Sequence, residues 1–290
     1  MTGADPGSVR AAGNKHRAVL LVAISAAVVG LVVAALALLV MGPLVALAGG
    51  LVVAVAFAML VWWGSAHLAL RLLGAQPADP IKQARLFNLV EGLGANAGVA
   101  PPDLFILPDA GLNALTMGRS AHHATLVVTS GLLDQLSRIE LEAVLAHELS
   151  HIRNDDILTA TVAVGLFGLL GRPARAAAGT GARAVLASLL LPMSALAGLG
   201  MRLSVDPHRE ELADRAGVHL TRYPPALVTA LEKMQQSSTL VAAGCRSPAT
   251  AHLWLGAPLP PPPSDRLAWL SRLYDTHPPL DERIEALREL

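Results

Sequence analysis

An uninterrupted apolar stretch constrains this chain more than any other feature. Between Ala18 and Leu70 there is no Asp, Glu, Lys or Arg. A helix needs about 20 apolar residues to cross the hydrocarbon core of a bilayer, so this stretch is long enough for two. We predict a membrane hairpin with spans over 18–40 and 43–63 and a tight turn between them. The alternatives are a signal peptide, whose apolar segment of about 7–15 residues is too short to match, and a buried hairpin of a soluble protein.

Basic residues flank both ends of the hairpin. They are Arg10, Lys15 and Arg17 before it and Arg71, Lys82 and Arg85 after it. The positive-inside rule therefore places both ends, and the domain that follows, in the cytoplasm of a multi-pass cell-membrane protein. Residues 1–17 are small and polar and are expected to form a flexible cytoplasmic tail.

The composition excludes several classes of protein. Hydrophobic residues make up 53% of the chain and charged residues 15%, against about 25% charged in a typical soluble domain. That balance excludes a disordered chain, which has high charge and low hydrophobicity. Basic and acidic residues number 22 each, so no overall positive field indicates a nucleic-acid partner. With only Cys245, no intrachain disulfide can build a secreted scaffold.

Residues 71–290 form the remaining domain, which we predict to be α+β and mostly helical. Periodic apolar residues predict helices over 81–94, 137–156, 206–220 and 225–234, and short strands over 103–107 and 124–129. Two charge-poor runs, 157–171 and 184–201, interrupt the domain within 157–201. They are either a third and a fourth membrane span or a helical pair that packs on the domain. The three arginines between them, Arg172, Arg175 and Arg183, argue against two spans.

One motif indicates metal chemistry. Residues 147–151 read His-Glu-Leu-Ser-His. On a helix, positions i and i+4 share a face, so His147 and His151 can bind one Zn²⁺ ion per chain. Glu148 lies beside the pair and can act as the general base for an activated water. The alternative is a structural helix with two surface histidines.

A catalytic zinc needs a third protein ligand and an open position. The acidic segment around 210–214 supplies candidates, because Glu210 and Asp214 are spaced i, i+4. We predict Glu210 as the ligand and Asp214 as the acceptor of a hydrogen bond from a ligand histidine. Glu211 competes for the ligand position, about 100° further round the helix, and a solvated acidic face remains the simpler alternative.

These motifs together resemble the family of membrane-integral zinc endopeptidases that includes HtpX and the CAAX prenyl proteases. Four segments carry the resemblance: His147–Ile152 with Asn154 and Asp156, matching HExxHxxNxD; Glu210 with Ala213 and Asp214, matching ExxAD; Asn113-Ala114 with Gly118; and the segment 276–284, THPPLDERI. The family's Ser-Arg-x-Arg before the ligand Glu is here Asp206-Pro207-His208-Arg209, and Glu211 replaces an aromatic residue.

The resemblance implies a zincin-like metalloprotease domain with a small sheet that has an exposed edge strand. It further implies that Asn113 binds the substrate backbone at that edge, and that His277 and Arg283 line the cleft and stabilise the oxyanion. His277 is thereby a catalytic candidate and Arg283 a substrate-binding one. A C-terminal helix cap and a surface cation are the simpler interpretations of these two residues.

The predicted function is zinc-dependent hydrolysis of peptide bonds at the cytoplasmic membrane surface. The substrates expected are membrane proteins or unfolded polypeptides, since the motif lies between apolar runs. Two alternatives remain open. One is a catalytically silent zinc-stabilised scaffold or sensor, against which an intact Glu148 argues. The other is a CAAX-type processing protease, which needs more membrane spans than this chain supplies.

Overall fold

The computed structural model describes residues 6–167, 191–206, 208–239, 241, 249–258 and 277–290. The predicted runs at 157–171 and 184–201 therefore lie partly outside the described residues. Five single residues named above lie wholly outside them: Arg172, Arg175, Arg183, Pro207 and Cys245. The prediction of an α+β, mostly helical domain joined to long apolar helices is confirmed.

Two long helices, α1 (Pro6–Ala37) and α2 (Pro43–Leu73), form the N-terminal hairpin. Both are long and apolar enough to cross a membrane. Their outer faces carry large apolar side chains, including Leu31, Leu44 and Leu51, each at least 66% exposed. A core helix of a soluble protein would bury such side chains, so this exposure favours a lipid environment.

Small residues allow the two helices to pack closely. A Cβ added at Gly30 would lie 2.7 Å from the Gly50 carbonyl oxygen, and one at Gly50 would lie 2.5 Å from the Gly30 carbonyl oxygen. Van der Waals packing of this kind holds helices together in a bilayer, where burial from water contributes little.

The first helix begins at Pro6, so residues 6–17 of the segment predicted as a tail are helical in the structure. Tertiary contacts hold the end of this segment. The Asn14 side chain donates to the Asn154 carbonyl oxygen at 3.1 Å, and Thr159 Oγ1 donates to the Asn14 carbonyl oxygen at 3.1 Å. A composition-based prediction misses these bonds because their partners lie about 140 residues away.

A four-stranded sheet with strand order β1-β2-β4-β3 forms the centre of the domain. The strands are β1 (Gln76–Pro77), β2 (Asp103–Leu107), β3 (Ala114–Ser120) and β4 (His123–Thr129). β2 and β4 are parallel, and the other two pairs are antiparallel. The predicted strands β2 and β4 are confirmed, and β3 was not predicted. β3 is an edge strand, as the family resemblance implies.

Helices cover both faces of the sheet. The remaining helices are α3 (Ala84–Ala97), α4 (Ser130–Gln135), α5 (Arg138–Arg153), α6 (Asp156–Phe167), α7 (Leu191–Ser204), α8 (Arg209–Thr221), α9 (Pro224–Gln236) and α10 (Leu280–Arg288), with a 3-10 turn at Ala251–Leu253. Alternate residues of β4 pack on opposite sides: Leu126 and Val128 join the core with α3 and α5, whereas Val127 joins the core with α6 and the end of α2.

The predicted helix over 137–156 is two helices in the structure. α5 begins with a capping box between Ser137 and Glu140 and ends at Arg153. Asp155 then adopts a left-handed conformation with φ of 53°, and α6 begins at Asp156. This sharp turn brings the carboxylate of Asp156 back towards the C-terminal part of α5.

α6 joins the domain to the hairpin. Its residues Ala160 and Val164 pack against the sheet and the end of α2, whereas Leu158 and Val162 pack against Ala18 and other hairpin residues. α6 is therefore buried on several sides where the domain meets the apolar helices.

Candidate metal centre

The helix α5 carries the two predicted histidine ligands and the predicted base. His147, Glu148 and His151 are each at most 2% exposed. The imidazoles lie one turn apart on one face, with 3.2 Å between their Nε2 atoms. Two nitrogen lone pairs this close repel each other unless a proton or a cation lies between them.

Close helix packing brings the acidic ligand to this pair. α8 crosses α5 at Gly217, where an added Cβ would lie 2.9 Å from the His147 backbone nitrogen. Ser150 Oγ also donates to the Ala213 carbonyl oxygen at 3.2 Å, which ties the two helices together. Glu210, Asp214 and Gly217 are spaced i, i+4 and i+7, so they share the face of α8 that meets α5.

Glu210 completes a three-residue cluster with the histidines. Its carboxylate oxygens lie 3.4 Å from His147 Nε2 and 3.6 Å from His151 Nε2. In a tetrahedral zinc site with ligands at about 2.0–2.1 Å, neighbouring ligand atoms are about 3.3–3.4 Å apart. The separation of 3.2 Å between the imidazole nitrogens and that of 3.4 Å from His147 Nε2 to Glu210 Oε2 are close to that spacing. The 3.6 Å separation joins His151 Nε2 to the other carboxylate oxygen, Oε1.

The alternative ligand Glu211 faces away from the cluster. Its side chain is 49% exposed and pairs with Arg215 at 2.9 Å. Glu210 Oε2, by contrast, is buried and makes no hydrogen bond with the described residues. Buried oxygens usually have a hydrogen-bond partner, and a bound metal ion would take the place of that partner here.

A carboxylate lies close to the Nδ1 atom of each histidine. Asp214 Oδ1 lies 2.8 Å from His147 Nδ1, and Asp156 Oδ2 lies 2.9 Å from His151 Nδ1. A carboxylate at Nδ1 favours the proton on that nitrogen and leaves the Nε2 lone pair for a metal. The contact of Asp214 is the one that its i, i+4 spacing from Glu210 predicts. Asp156 belongs to the HExxHxxNxD motif but carries no role predicted from the sequence.

The charges of the cluster match a divalent cation. The buried or nearly buried carboxylates are Glu148, Asp156, Glu210 and Asp214, and the guanidinium groups are Arg209 and Arg283. With neutral imidazoles the sum is two negative charges, which is the charge that one Zn²⁺ would balance. The donor set and this charge therefore both fit the metal.

Electrostatics set the protonation of these groups. Burial would raise the pKa of Glu210, but Arg209 and the histidines outweigh it and hold that pKa well below its usual range. Burial would lower the pKa of His147, but the contacts with Asp214 and Glu210 raise it to about 9. Without a metal, His147 therefore carries a proton at neutral pH.

Glu148 lies beside the cluster in a different environment. Its Oε2 accepts a hydrogen bond from Thr116 Oγ1 at 2.9 Å, so the edge strand β3 positions the base. Burial raises the pKa of Glu148, which makes the carboxylate a better proton acceptor near neutral pH. Thr116 was not predicted from the sequence, because a single Thr in a strand carries no signal.

Arg283 is buried and contacts Asp214. Its Nε and Nη2 donate to the two oxygens of Asp214 at 2.8 and 2.7 Å, and its Nη1 donates to the Leu255 carbonyl oxygen at 2.7 Å. With 4% of its surface exposed, Arg283 holds the carboxylate that lies beside His147 Nδ1. A role of Arg283 in substrate binding stays a prediction.

The side chain of Asn113 connects two loops to the start of β3. It is fully buried, and its Nδ2 donates to the carbonyl oxygens of Thr239 and Gly256, each at 2.8 Å. Its Oδ1 accepts from the backbone nitrogens of Ala114 and Gly256. Binding of the substrate backbone by Asn113 stays a prediction.

His277 also contacts the segment that borders β3. Its Nε2 donates to the Trp254 carbonyl oxygen at 2.7 Å. The same segment pairs with the edge strand through Leu115 and Trp254. An oxyanion role for His277 stays a prediction.

Comparisons with known proteins agree with this site. The model of peptidase family M48 matches residues 80–290. A protein from Tropheryma whipplei (strain TW08/27) named protease HtpX homolog is 34% identical over 249 residues, which cover 81% of this chain and 82% of that protein. Proteins with the same name from Salinibacter ruber and Acidiphilium cryptum are 34% and 35% identical, over 79% and 80% of this chain and 82% of each relative.

The matched region contains the whole histidine–glutamate cluster with the carboxylates and arginines around it. These alignments cover about four-fifths of this chain and of each relative, so the similarity includes more than a shared motif. The chain belongs to peptidase family M48 and is an HtpX-like metalloprotease.

Proposed function

We propose that this protein is a zinc endopeptidase that hydrolyses peptide bonds of membrane or unfolded proteins at the cytoplasmic surface of the cell membrane. The observation that carries the proposal is the buried cluster of His147, His151 and Glu210, in which one ligand atom from each residue lies within 4.8 Å of the others. Two imidazoles and one carboxylate form the donor set of many catalytic zinc sites, which keep a fourth position open.

Zinc, when bound by these three residues, supplies a Lewis acid that polarises a carbonyl group and lowers the pKa of a water molecule. Glu148 accepts a proton from the attacking water and later donates it to the amine nitrogen of the departing peptide. The raised pKa of Glu148 suits both steps, since the group must take up and release a proton in one cycle. Thr116 holds the carboxylate in place for these transfers.

The position of the cluster favours substrates at the membrane surface. His151 contacts Asp156 at the start of α6, and Thr159 in the next turn bonds to Asn14 of α1. Val19, a large exposed apolar residue of α1, follows five residues after Asn14, about 8 Å along the helix. A cavity of about 550 Å³ lies at this level, lined by Asn14, Asp156 and Arg209 among others.

The hairpin geometry supports the predicted orientation. Asn14 near the start of α1 and Leu73 at the end of α2 both contact the domain, so both lie at the same end of the hairpin. Arg10, Lys15 and Arg17 precede the apolar stretch of α1 and Arg71 lies in the last turn of α2, whereas the turn at 38–42 carries no charge. The positive-inside rule then places the domain in the cytoplasm.

The test uses the protein purified in detergent, with zinc measured per chain and cleavage of an unfolded casein-like substrate followed in parallel. Glu210→Ala should lose zinc, whereas the adjacent control Glu211→Ala should keep one zinc per chain and its activity. Glu148→Gln should keep zinc and lose activity by about 10²–10⁴-fold, the usual contribution of a general base.

Two outcomes would contradict the proposal. Cleavage that survives in Glu148→Gln would remove the assigned base, and equal zinc loss in both glutamate variants would remove the assigned third ligand. Zinc binding without any cleavage by the unmodified protein would instead support the zinc-stabilised scaffold.

A further inference from the structure

We propose that Arg209 is a positioning residue that makes Glu210 bind the metal through a single oxygen. This inference rests on the proposed metal centre and adds a determinant of its coordination. Arg209 directly precedes Glu210 at the start of α8, and both side chains are buried.

The contact between the two side chains is specific. Arg209 Nε donates to Glu210 Oε1 at 2.8 Å, which is a short charge-assisted hydrogen bond. Glu210 Oε2, the oxygen 3.4 Å from His147 Nε2, makes no hydrogen bond with the described residues. Oε1 is the oxygen that lies 3.6 Å from His151 Nε2. Arg209 therefore occupies one oxygen of the carboxylate and leaves the other for the metal.

The placement of Arg209 is not explained by its other contacts. Its Nη1 is buried and makes no hydrogen bond with the residues described by the structure. A buried donor without a partner is unfavourable. Within the described residues, the charge-assisted bond from Nε to Glu210 Oε1 is the contact that offsets the burial of this side chain.

Arg283 does not duplicate this contact. It approaches Glu210 Oε2 only to 3.5 Å, and its hydrogen bonds go to Asp214 and the Leu255 carbonyl oxygen. Within the described part of the chain, Arg209 is thus the guanidinium group that hydrogen-bonds the third ligand. A carboxylate that binds through one oxygen leaves more of the metal's coordination sphere for water and substrate.

Cobalt substitution can test this assignment without relying on activity. Four-coordinate Co²⁺ absorbs visible light more strongly than five- or six-coordinate Co²⁺, so absorption reports how the ligands bind. In Arg209→Met, Oε1 is released and Glu210 can bind through both oxygens. We expect weaker, shifted Co²⁺ bands and a zinc dissociation constant about 10–100-fold higher, as is typical when a partner of a metal ligand is removed.

Two further variants complete the design. Arg209→Lys keeps the charge but not the planar fork, so its Co²⁺ spectrum should also differ from that of the unmodified protein. Arg215→Met removes an exposed arginine from the same helix and should leave the spectrum unchanged. Among zinc-loaded proteins, Arg209→Lys should lower kcat for peptide cleavage more than it changes KM.

The outcomes separate this inference from the proposed function. If the unmodified protein binds neither Co²⁺ nor Zn²⁺, the metal centre itself is wrong. If it binds Co²⁺ and the spectra of both Arg209 variants match its own, the metal centre stands and the role of Arg209 is refuted. Should Arg209→Met not fold, Arg209→Lys alone decides the question.

Discussion

Replacement of Gly217 by Ala tests whether close packing between α5 and α8 builds the metal centre. The added Cβ would lie 2.9 Å from the His147 backbone nitrogen and 3.0 Å from its Cα, where ordinary contact begins at 3.4 Å. Because both neighbours are backbone atoms, no side chain can rotate away. The helices must separate by about 0.5 Å to restore normal contact distances.

The effect on stability follows from two opposing contributions. Overpacking of this size costs about 1–3 kcal/mol, and replacing Gly by Ala within a helix returns about 1 kcal/mol. We expect Gly217→Ala to lower the free energy of unfolding by up to about 2 kcal/mol. Gly92→Ala is the matched control, since Gly92 lies in α3 with no atom within 4 Å of an added Cβ, and it should be neutral or slightly stabilising.

The effect on the metal centre should be larger than the effect on stability. Glu210 and Asp214 move with α8, and a displacement of about 0.5 Å is the limit that preorganised sites tolerate. We expect zinc affinity about 10–100-fold weaker in Gly217→Ala and unchanged in Gly92→Ala. Thermal unfolding in detergent and competition with a zinc-binding dye measure both quantities. Equal zinc affinity in the two variants would refute the argument that this helix contact positions the ligands.

Three further predictions concern the hairpin, its contact with the domain and the cluster. Gly50→Leu should separate α1 from α2 and destabilise the hairpin by about 1–3 kcal/mol, whereas the neighbouring, unobstructed Gly49→Leu should not; thermal unfolding in detergent compares them. Asn14→Ala removes one hydrogen bond to the end of α5 and should cost about 0.5–1.5 kcal/mol by the same measurement; no loss would mean that α1 is not anchored there. Since His147 has a folded pKa of about 9, raised from 6.5, the metal-free protein should lose stability as pH rises through this window. Zinc affinity should rise over the same window, because a proton no longer competes; chelator competition that shows a flat profile would contradict the assignment.

Features that depend on neighbouring residues could be read from the sequence. The hairpin follows from the length and apolar composition of 18–70. The shared face of His147 and His151 follows from helical geometry alone, as does that of Glu210 and Asp214. β2 and β4 were predicted because their apolar runs fit short buried strands. β3 was missed because Thr116, Gly118 and Arg119 interrupt any such pattern.

Features that depend on distant residues were decided only by the tertiary structure. Glu210 rather than Glu211 faces the histidines because Gly217 fixes how α8 lies on α5. The left-handed turn at Asp155 also brings Asp156 to His151; the motif includes Asp156, but the contact depends on the backbone conformation of this turn.

The same limit applies to the contacts of Asn113 and Arg283. The motifs identified both residues as important, but their partners, Gly256 and Asp214, lie far away in the chain. Sequence spacing therefore determined which residues could share a helix face and bind a metal. Long-range packing determined which of them face the metal and which instead hold its ligands, because burial and hydrogen-bond partners are set only when distant segments meet.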